Sequence, residues 1–410
     1  MRYDVAVIGA GASGMTAALF AAKNGARVTV FEKNGEPLRK LLRTGNGKCN
    51  LTNSSIDLNE YVSSDVDFVK DKLFSFSNND LIHFFKTLGL VTKDKNGYVY
   101  PLNEQASSVS KVLLKEASVY GINVKTDCLV NMIAKDNDKF LISIEGEKQR
   151  YEFDRVIVST GSKAGLLKGE KENGEKLLKP FDISFLPFVP GLCKLVLRGY
   201  DFESVKGVRN EAKVSLLKNG EGIKEEYGEI LFWEKGISGI CVFNLSNHCI
   251  RNIKENDRLS IKIDLLPEYD EEGFEEFKEF VAVSMLLNNE KTICELFNGF
   301  LKDKLSNMIL EIVGIDKDTT VSKITKDQLF EILEKLKDIT FEIDGLAGFD
   351  SAQVCIGGVD TKELTNDFEL KSVPGMFVTG ELIDVCGPCG GYNLQWAFTS
   401  GAIAGEKACC

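Results

Sequence analysis

The stretch Gly9-Ala10-Gly11-Ala12-Ser13-Gly14 constrains this chain more than any other feature. It follows the apolar run YDVAVI (3–8) and opens a small-residue stretch that continues to residue 24. With the apolar run ARVTVFE (26–32) behind it, the pattern reads as strand, glycine turn, helix and strand, a β-α-β unit. Each glycine has a separate reason to be there. Gly9 permits the tight turn, Gly11 lets backbone come close to a pyrophosphate, and Gly14 lets the helix lie against the strand. The helix start, Ala12 included, offers amide groups without intrahelical acceptors together with partial positive charge, which suits phosphate. Glu32, at the end of the second strand, can accept hydrogen bonds from a ribose diol, and its charge opposes a 2′-phosphate there.

Charge and cysteine usage narrow the setting. The 410 residues, 43% of them hydrophobic, are enough for two or three domains, and the formal net charge of −11 argues against nucleic acid or anionic lipid as a partner. Glycines interrupt the apolar opening and Asp4 sits near its start, so it does not read as a signal peptide. No uninterrupted apolar stretch reaches membrane length, and no membrane association is expected. The eleven cysteines lack the short regular spacing of a disulfide-stapled domain and fit a reducing, cytoplasmic setting. His83 and His248 are the only histidines and neither lies at ligand spacing from a second ligand, so no metal site is expected.

Further along, FDRVIVSTG (153–161) and PGMFVTGE (374–381) read as buried strands that join the same parallel sheet from a distance. Between them lie β-rich segments, KLVLRGY (194–200), EAKVSLLKNG (211–220) and RLSIKIDLL (258–266), and then a helical texture in FEEFKEFVAVSMLL and DQLFEILEKLKD. The expected organisation is an α/β Rossmann-like domain at 1–185 and 342–410. A β-rich inserted domain at 186–266 and 339–372, with approximate boundaries, carries a helical insertion at 267–338.

Two more segments have the chemistry of a cofactor site. The run Arg39-Lys40-Leu41-Leu42-Arg43-Thr44-Gly45-Asn46-Gly47-Lys48-Cys49-Asn50-Leu51-Thr52-Asn53 mixes cations suited to phosphate with amides suited to a heterocycle edge, although a solvated loop has the same composition. Near the C-terminus Gly380-Glu381 ends a strand, and Gly387-Pro388-Cys389-Gly390-Gly391-Tyr392-Asn393-Leu394-Gln395 leads into the helical WAFTSGAIAGEKA. A glycine pair opening a helix makes an anion-seeking amide cluster, and a plain loop-to-helix turn is the alternative.

Taken in order, GAGASGMTAALFAAKNGARVTVFEKN, RKLLRTGNGKCNLTN, YPLNEQASSV, GEILFWEKGISG, AQVCIGGVDTKEL and TGELIDVCGPCGGYNLQWAFTSG resemble the flavoprotein family that contains a bile-acid-pathway reductase and aminoacetone oxidase. The resemblance runs over essentially the whole chain. It implies a Rossmann-like FAD-binding domain, a β-barrel-like domain inserted in it, and a helical domain inserted in the barrel. It implies that Ser13, Glu32, Lys33, Arg39 and Lys40 lie along the adenosine and pyrophosphate of FAD. Thr44, Gly45, Asn46, Gly47, Cys49 and Asn50 would approach the flavin, Val130 the adenine, Thr160 and Gly161 the ribose-phosphate region. Gly380, Glu381, Gly391, Asn393 and Leu394 would close the flavin end. The chain departs from the family pattern after Gly161 (SKAGLLKGEKENGEKLLKPF), at Cys386-Gly387-Pro388-Cys389 and at Trp233-Glu234-Lys235.

One dinucleotide site occupied by FAD leaves NADH or NADPH to act as a transient reductant without a Rossmann domain of its own. The family offers two reactions on small molecules. One is reduction of a carbon–carbon double bond conjugated to a ketone, as in a 3-oxo-Δ4 or Δ4,6 bile-acid derivative, which is the favoured reading; the other is oxidation of a small amine such as aminoacetone. A third reading makes Cys386 and Cys389 a dithiol pair that exchanges electrons with the flavin, but glycines and a tyrosine separate Cys389 from the expected helix start, where a thiolate would be stabilised. Tyr392, Lys235 and Asn50 are conceivable proton or hydrogen-bond donors, and no residue is assigned as catalytic.

Overall fold

The computed structural model describes residues 2–166, 174–251 and 257–410. Within the segment that departs from the family pattern after Gly161, residues 167–173 lie outside the described residues. The chain forms two compact units, 1–191 with 349–410, and 192–348.

The first unit is organised by β1 (Asp4–Ile8), α1 (Ala12–Lys23) and β2 (Arg27–Phe31). To these the fold adds β3 (Asn123–Lys125), β4 (Arg155–Val158) and β5 (Met376–Val378) in a five-stranded sheet of order β5-β4-β1-β2-β3. Every neighbouring pair is parallel. Val5, Ala6 and Val7 have no exposed surface, as expected of a central parallel strand covered on both faces, which is why the run is continuously apolar. The C-terminal helix α2 (Tyr392–Lys407) lies on α1. A Cβ on Gly401 or Gly405 would run into the backbone carbonyls of Ser13 or Ala17, so two missing side chains let the helix backbones touch. The expected α/β Rossmann-like architecture is therefore present.

Smaller sheets complete this unit: an antiparallel trio at Val130–Asp136, Lys139–Ile144 and Arg150–Phe153, and a short one at Thr52–Asn53, Tyr98–Pro101 and Thr92–Lys95. Phe185–Gly191 pairs antiparallel with Val354–Val359. The sequence texture placed 186–191 in the β-rich insert and assigned 354–359 to both domains; their pairing keeps both strands in the first unit. The exchange of units falls at Gly191/Leu192 and Gly348/Phe349.

The second unit contains a closed six-stranded barrel in the order Leu195–Arg198, Gly236–Ser238, Glu221–Trp233, Arg209–Lys218, Leu259–Asp264, Ile339–Leu346. Its buried residues, among them Val214, Ile230, Phe232, Ile261 and Phe341, form one cluster with Phe297, Met308, Ile309, Leu333 and Leu336 of the helical segment. The helices at 267–338 thus share the barrel's core, each burying an apolar stripe against it. Among the described residues, no helix is long and apolar enough to cross a membrane.

Candidate cofactor site

The glycine turn separates two kinds of glycine. Gly9 has φ +103, and a Cβ there would strike the Ser159 carbonyl; a Cβ on Gly14 would strike the Gly9 carbonyl. These two are required by the protein's own packing. Gly11 has φ −78, which any residue adopts, and a Cβ there would meet nothing within 4 Å among the described residues. It is also the N-cap of α1, and among the described residues no side chain caps the first amides of the helix. That is the cradle a pyrophosphate fits.

Glu32 is buried, and its Oε2 accepts the Ala10 N–H at 2.8 Å. Its Oε1 accepts the Asn34 N–H at 2.9 Å and the Asn34 side-chain amide at 2.7 Å, and Arg39 Nη1 donates to Asn34 Oδ1 at 3.0 Å. Glu32 therefore braces the glycine turn besides being available to a ribose. Asn34 went unnoticed in the sequence, although its place two residues after the acid is one where a short amide can close a local turn. Lys33, between the two, is partly exposed.

The segment after Arg39 is not a plain loop. Gly45, Asn46, Gly47 and Cys49 all have positive φ, at 56, 54, 82 and 58°. Left-handed conformation at Asn46 and Cys49 costs about 1 kcal/mol or more each and persists only where surrounding bonds enforce it. Those bonds include Thr44 Oγ1 to the Leu41 carbonyl at 2.6 Å and the Cys49 N–H to the Thr44 carbonyl at 3.1 Å. Outside the loop, Lys48 Nζ sits 3.0 Å from Glu104 Oε2, with Lys93 and Lys95 on Oε1 at 2.7 and 3.1 Å. Hydrogen bonds from the three lysines hold the Glu104 carboxyl down at about 2. Burial pushes the Cys49 thiol up to about 12, which keeps it protonated and unreactive.

Among the described residues, two buried polar atoms in this unit have no hydrogen-bond partner: Asn50 Oδ1 and Thr160 Oγ1. Leaving such an atom unsatisfied costs roughly 1–3 kcal/mol, so each is a place where a ligand atom could restore what folding gave up. Thr160 follows β4, whose end is tied to β5 by Ser159 Oγ and Thr379 Oγ1 at 2.6 Å. Gly161 has φ +75 and open space beside it. Val130, 1% exposed, begins the antiparallel trio.

At the C-terminal side, Gly380 has φ +71 and lies against Ser13. Lys40 Nζ reaches Glu381 Oε2 at 2.6 Å, and Ser162 Oγ donates to the same oxygen at 2.9 Å. Lys40 and Glu381, read from segments far apart in the chain, are thus brought together; Ser162 was missed because nothing local marks it. Asn393 is committed to the loop before α2, accepting the Gly387 N–H at 2.9 Å and donating to the Gly387 carbonyl at 2.8 Å. Leu394, next in the first turn of α2, is half-buried. Gly391 has φ +95, and a Cβ there would collide with the backbone of Thr52, so this glycine is closed by protein.

The conceivable donors sort themselves accordingly. Tyr392 OH accepts the Asp57 N–H at 3.0 Å and its ring packs on Tyr61, which holds the ring in place while its own O–H remains a donor. Lys235 is exposed in the barrel unit. Cys386 is buried on a two-residue strand with its thiol toward the Gly387 carbonyl, whereas Cys389 turns toward Gln353. None of the eleven cysteines forms a disulfide, and α2 begins only at Tyr392, so neither thiol of this pair sits at a helix N-terminus. No group of three or more His, Cys, Asp or Glu gathers as a metal site among the described residues.

A cradle of this kind on a parallel sheet is the cofactor half of a Rossmann-like, FAD-dependent oxidoreductase, and this is the class to which the protein belongs. The chain is a member of the family described as HI0933-like protein Rossmann domain, which matches residues 3–407. It is 35% identical over 413 residues to a 3-dehydro-bile acid delta(4,6)-reductase of Clostridium scindens, covering 98% of each chain. It is also similar to ribosomal RNA dihydrouridine synthases. The identity is 27% to that of Escherichia coli, over 97% of this chain and 96% of the relative, and 29% to that of Haemophilus influenzae, over 96% and 95%.

Proposed function

We propose that this protein, with FAD bound and NADH or NADPH as reductant, reduces a carbon–carbon double bond conjugated to a ketone. The favoured substrate is a 3-oxo-Δ4 or Δ4,6 bile-acid or steroid derivative. The observation that carries this reading is the end-to-end likeness to a relative named for that reaction. When bound, the flavin supplies the hydride-transfer chemistry.

The chain's own residues do the holding. The amides at Gly11, Ala12 and Ser13 bind the pyrophosphate, with Arg39 and Lys33 adding positive charge. Glu32 accepts from the adenosine ribose, and Asn50 Oδ1 and Thr160 Oγ1 regain partners from the cofactor. The bond-enforced loop Thr44–Asn50 presents its polar groups with little reorganisation, which is the form of electrostatic assistance that costs nothing at the moment of reaction. Reduction of an enone leaves an oxyanion that needs a donor, and no residue is assigned that role. The cysteine complement suits a cytoplasmic enzyme.

A second reading keeps the reaction and changes the substrate. The 5,6 double bond of uracil is also conjugated to a carbonyl, and two relatives are named for reducing it in ribosomal RNA. The net charge of −11 weighs against a polyanionic substrate. Purified holoprotein mixed anaerobically with NADH or NADPH, then with a 3-oxo-Δ4 bile-acid derivative, ribosomal RNA or aminoacetone, separates the readings. Flavin bleaching by nicotinamide and recovery with the steroid enone supports the first; dihydrouridine formation without steroid turnover replaces the substrate. In a separate aerobic arm without nicotinamide, amine-dependent oxygen consumption, together with no enone reduction in the anaerobic arm, overturns the reductase.

A further inference from the structure

Glu381 is held asymmetrically. Both of its protein partners, the Lys40 ammonium at 2.6 Å and the Ser162 hydroxyl at 2.9 Å, take Oε2. No hydrogen bond reaches Oε1 among the described residues. Ser162 is 5% exposed and fixed in turn, since its Oγ accepts the Ala164 N–H at 3.3 Å. A carboxylate oxygen can only accept, so the partner that completes Oε1 is an O–H or N–H donor and not a phosphate.

The sheet order says which part of a dinucleotide lies there. Glu32 follows β2 and Glu381 follows β5, on opposite sides of β1 and its glycine turn. β2 and β5 are three strand steps apart, about 14 Å at the usual spacing. A pyrophosphate at Gly11 then has one acidic side chain on its adenosine side and the other on its flavin side. On the flavin side the nearest donors along the cofactor are the hydroxyls of the ribityl chain.

We propose that Ser162 is a positioning residue for the flavin half of the cofactor: with Lys40 it fixes Glu381 through Oε2 and so presents Oε1 to a ribityl hydroxyl. This rests on the reading that the cradle holds FAD. The test uses full-length protein stripped of flavin and titrated separately with FAD and with ADP, which carries the pyrophosphate and adenosine but no ribityl chain. S162A is expected to weaken FAD about tenfold and leave ADP within about twofold, while S162T, which keeps the hydroxyl, recovers FAD affinity. Unchanged FAD affinity in S162A, or equal weakening of FAD and ADP, overturns the role for Ser162. Failure of the unsubstituted protein to bind either ligand would instead remove the cofactor assignment itself, and the proposal with it.

Discussion

The helices α1 and α2 both have glycine at the N-cap, and the two beginnings have little in common physically. At α1, Gly11 has an ordinary φ and empty space where its side chain would be; at α2, Gly391 has φ +95 and the backbone of Thr52 in that position. Both helices lack a side-chain cap, and in sequence both look like anion cradles. What separates them is who occupies the room the missing Cβ leaves. At Gly11 the room is free for a ligand, whereas at Gly391 the strand Thr52–Asn53 has already filled it. A glycine at a helix start is therefore a statement about close approach, and only the three-dimensional surroundings say whether the approaching group is cofactor or protein.

The contrast is most exposed at Gly391. Gly391→Ala combines left-handed strain with a backbone collision and is expected to cost about 3 kcal/mol or more, read as a fall in the denaturation midpoint of the flavin-free protein. An unchanged midpoint, with cofactor affinity alone reduced, would make the two helix starts alike after all.

Gly11→Asp is the counter-experiment. Aspartate is a good N-cap and finds no steric obstacle here, so the stability of the flavin-free protein should hold or rise by up to about 1 kcal/mol. The same carboxylate repels the pyrophosphate, and FAD affinity should fall by roughly a hundredfold, about 2.7 kcal/mol. Full FAD occupancy in this variant would show that the phosphates lie elsewhere.

Glu32→Gln sharpens the picture of the turn between β1 and α1. The amide oxygen can keep the Ala10 N–H, but the second oxygen, which receives both Asn34 donors, becomes a donor itself. A loss of about 1–2 kcal/mol of stability is expected by chemical denaturation, with a weaker hold on FAD. No change in stability would mean that the brace seen at Glu32 carries no weight.

The smallest effect is expected before α2. Replacing both Cys386 and Cys389 by Ser should leave nicotinamide-driven flavin reduction and enone turnover within about twofold, because neither thiol sits at a helix start that would make it reactive. Loss of turnover with flavin reduction preserved would restore the dithiol reading.

Much of this could be seen in the chain alone. The β-α-β unit, its glycine turn and the acid after β2 are local patterns, written in hydrophobic periodicity and in the conformational demands of single residues. The alternating segments of the barrel and the helical stripe at 267–338 were legible for the same reason. The boundary between the units was not, since Phe185–Gly191 and Val354–Val359 look like any other strands until their mutual pairing assigns them to the first unit. The helices Val66–Ser75, Asn78–Thr87 and Ala106–Val119 also passed unread.

Local sequence decided where the backbone must turn tightly and which face of each element is apolar, because those depend on neighbours a few residues away. Tertiary structure alone decided that Lys40 and Ser162 meet on one oxygen of Glu381 and that Lys48, Lys93 and Lys95 converge on Glu104. It also left Asn50 Oδ1 and Thr160 Oγ1 buried without partners among the described residues. Hydrogen bonding acts over about 3 Å of space whatever the separation along the chain, so a pairing of residues 40 and 381 leaves no periodic trace in the sequence.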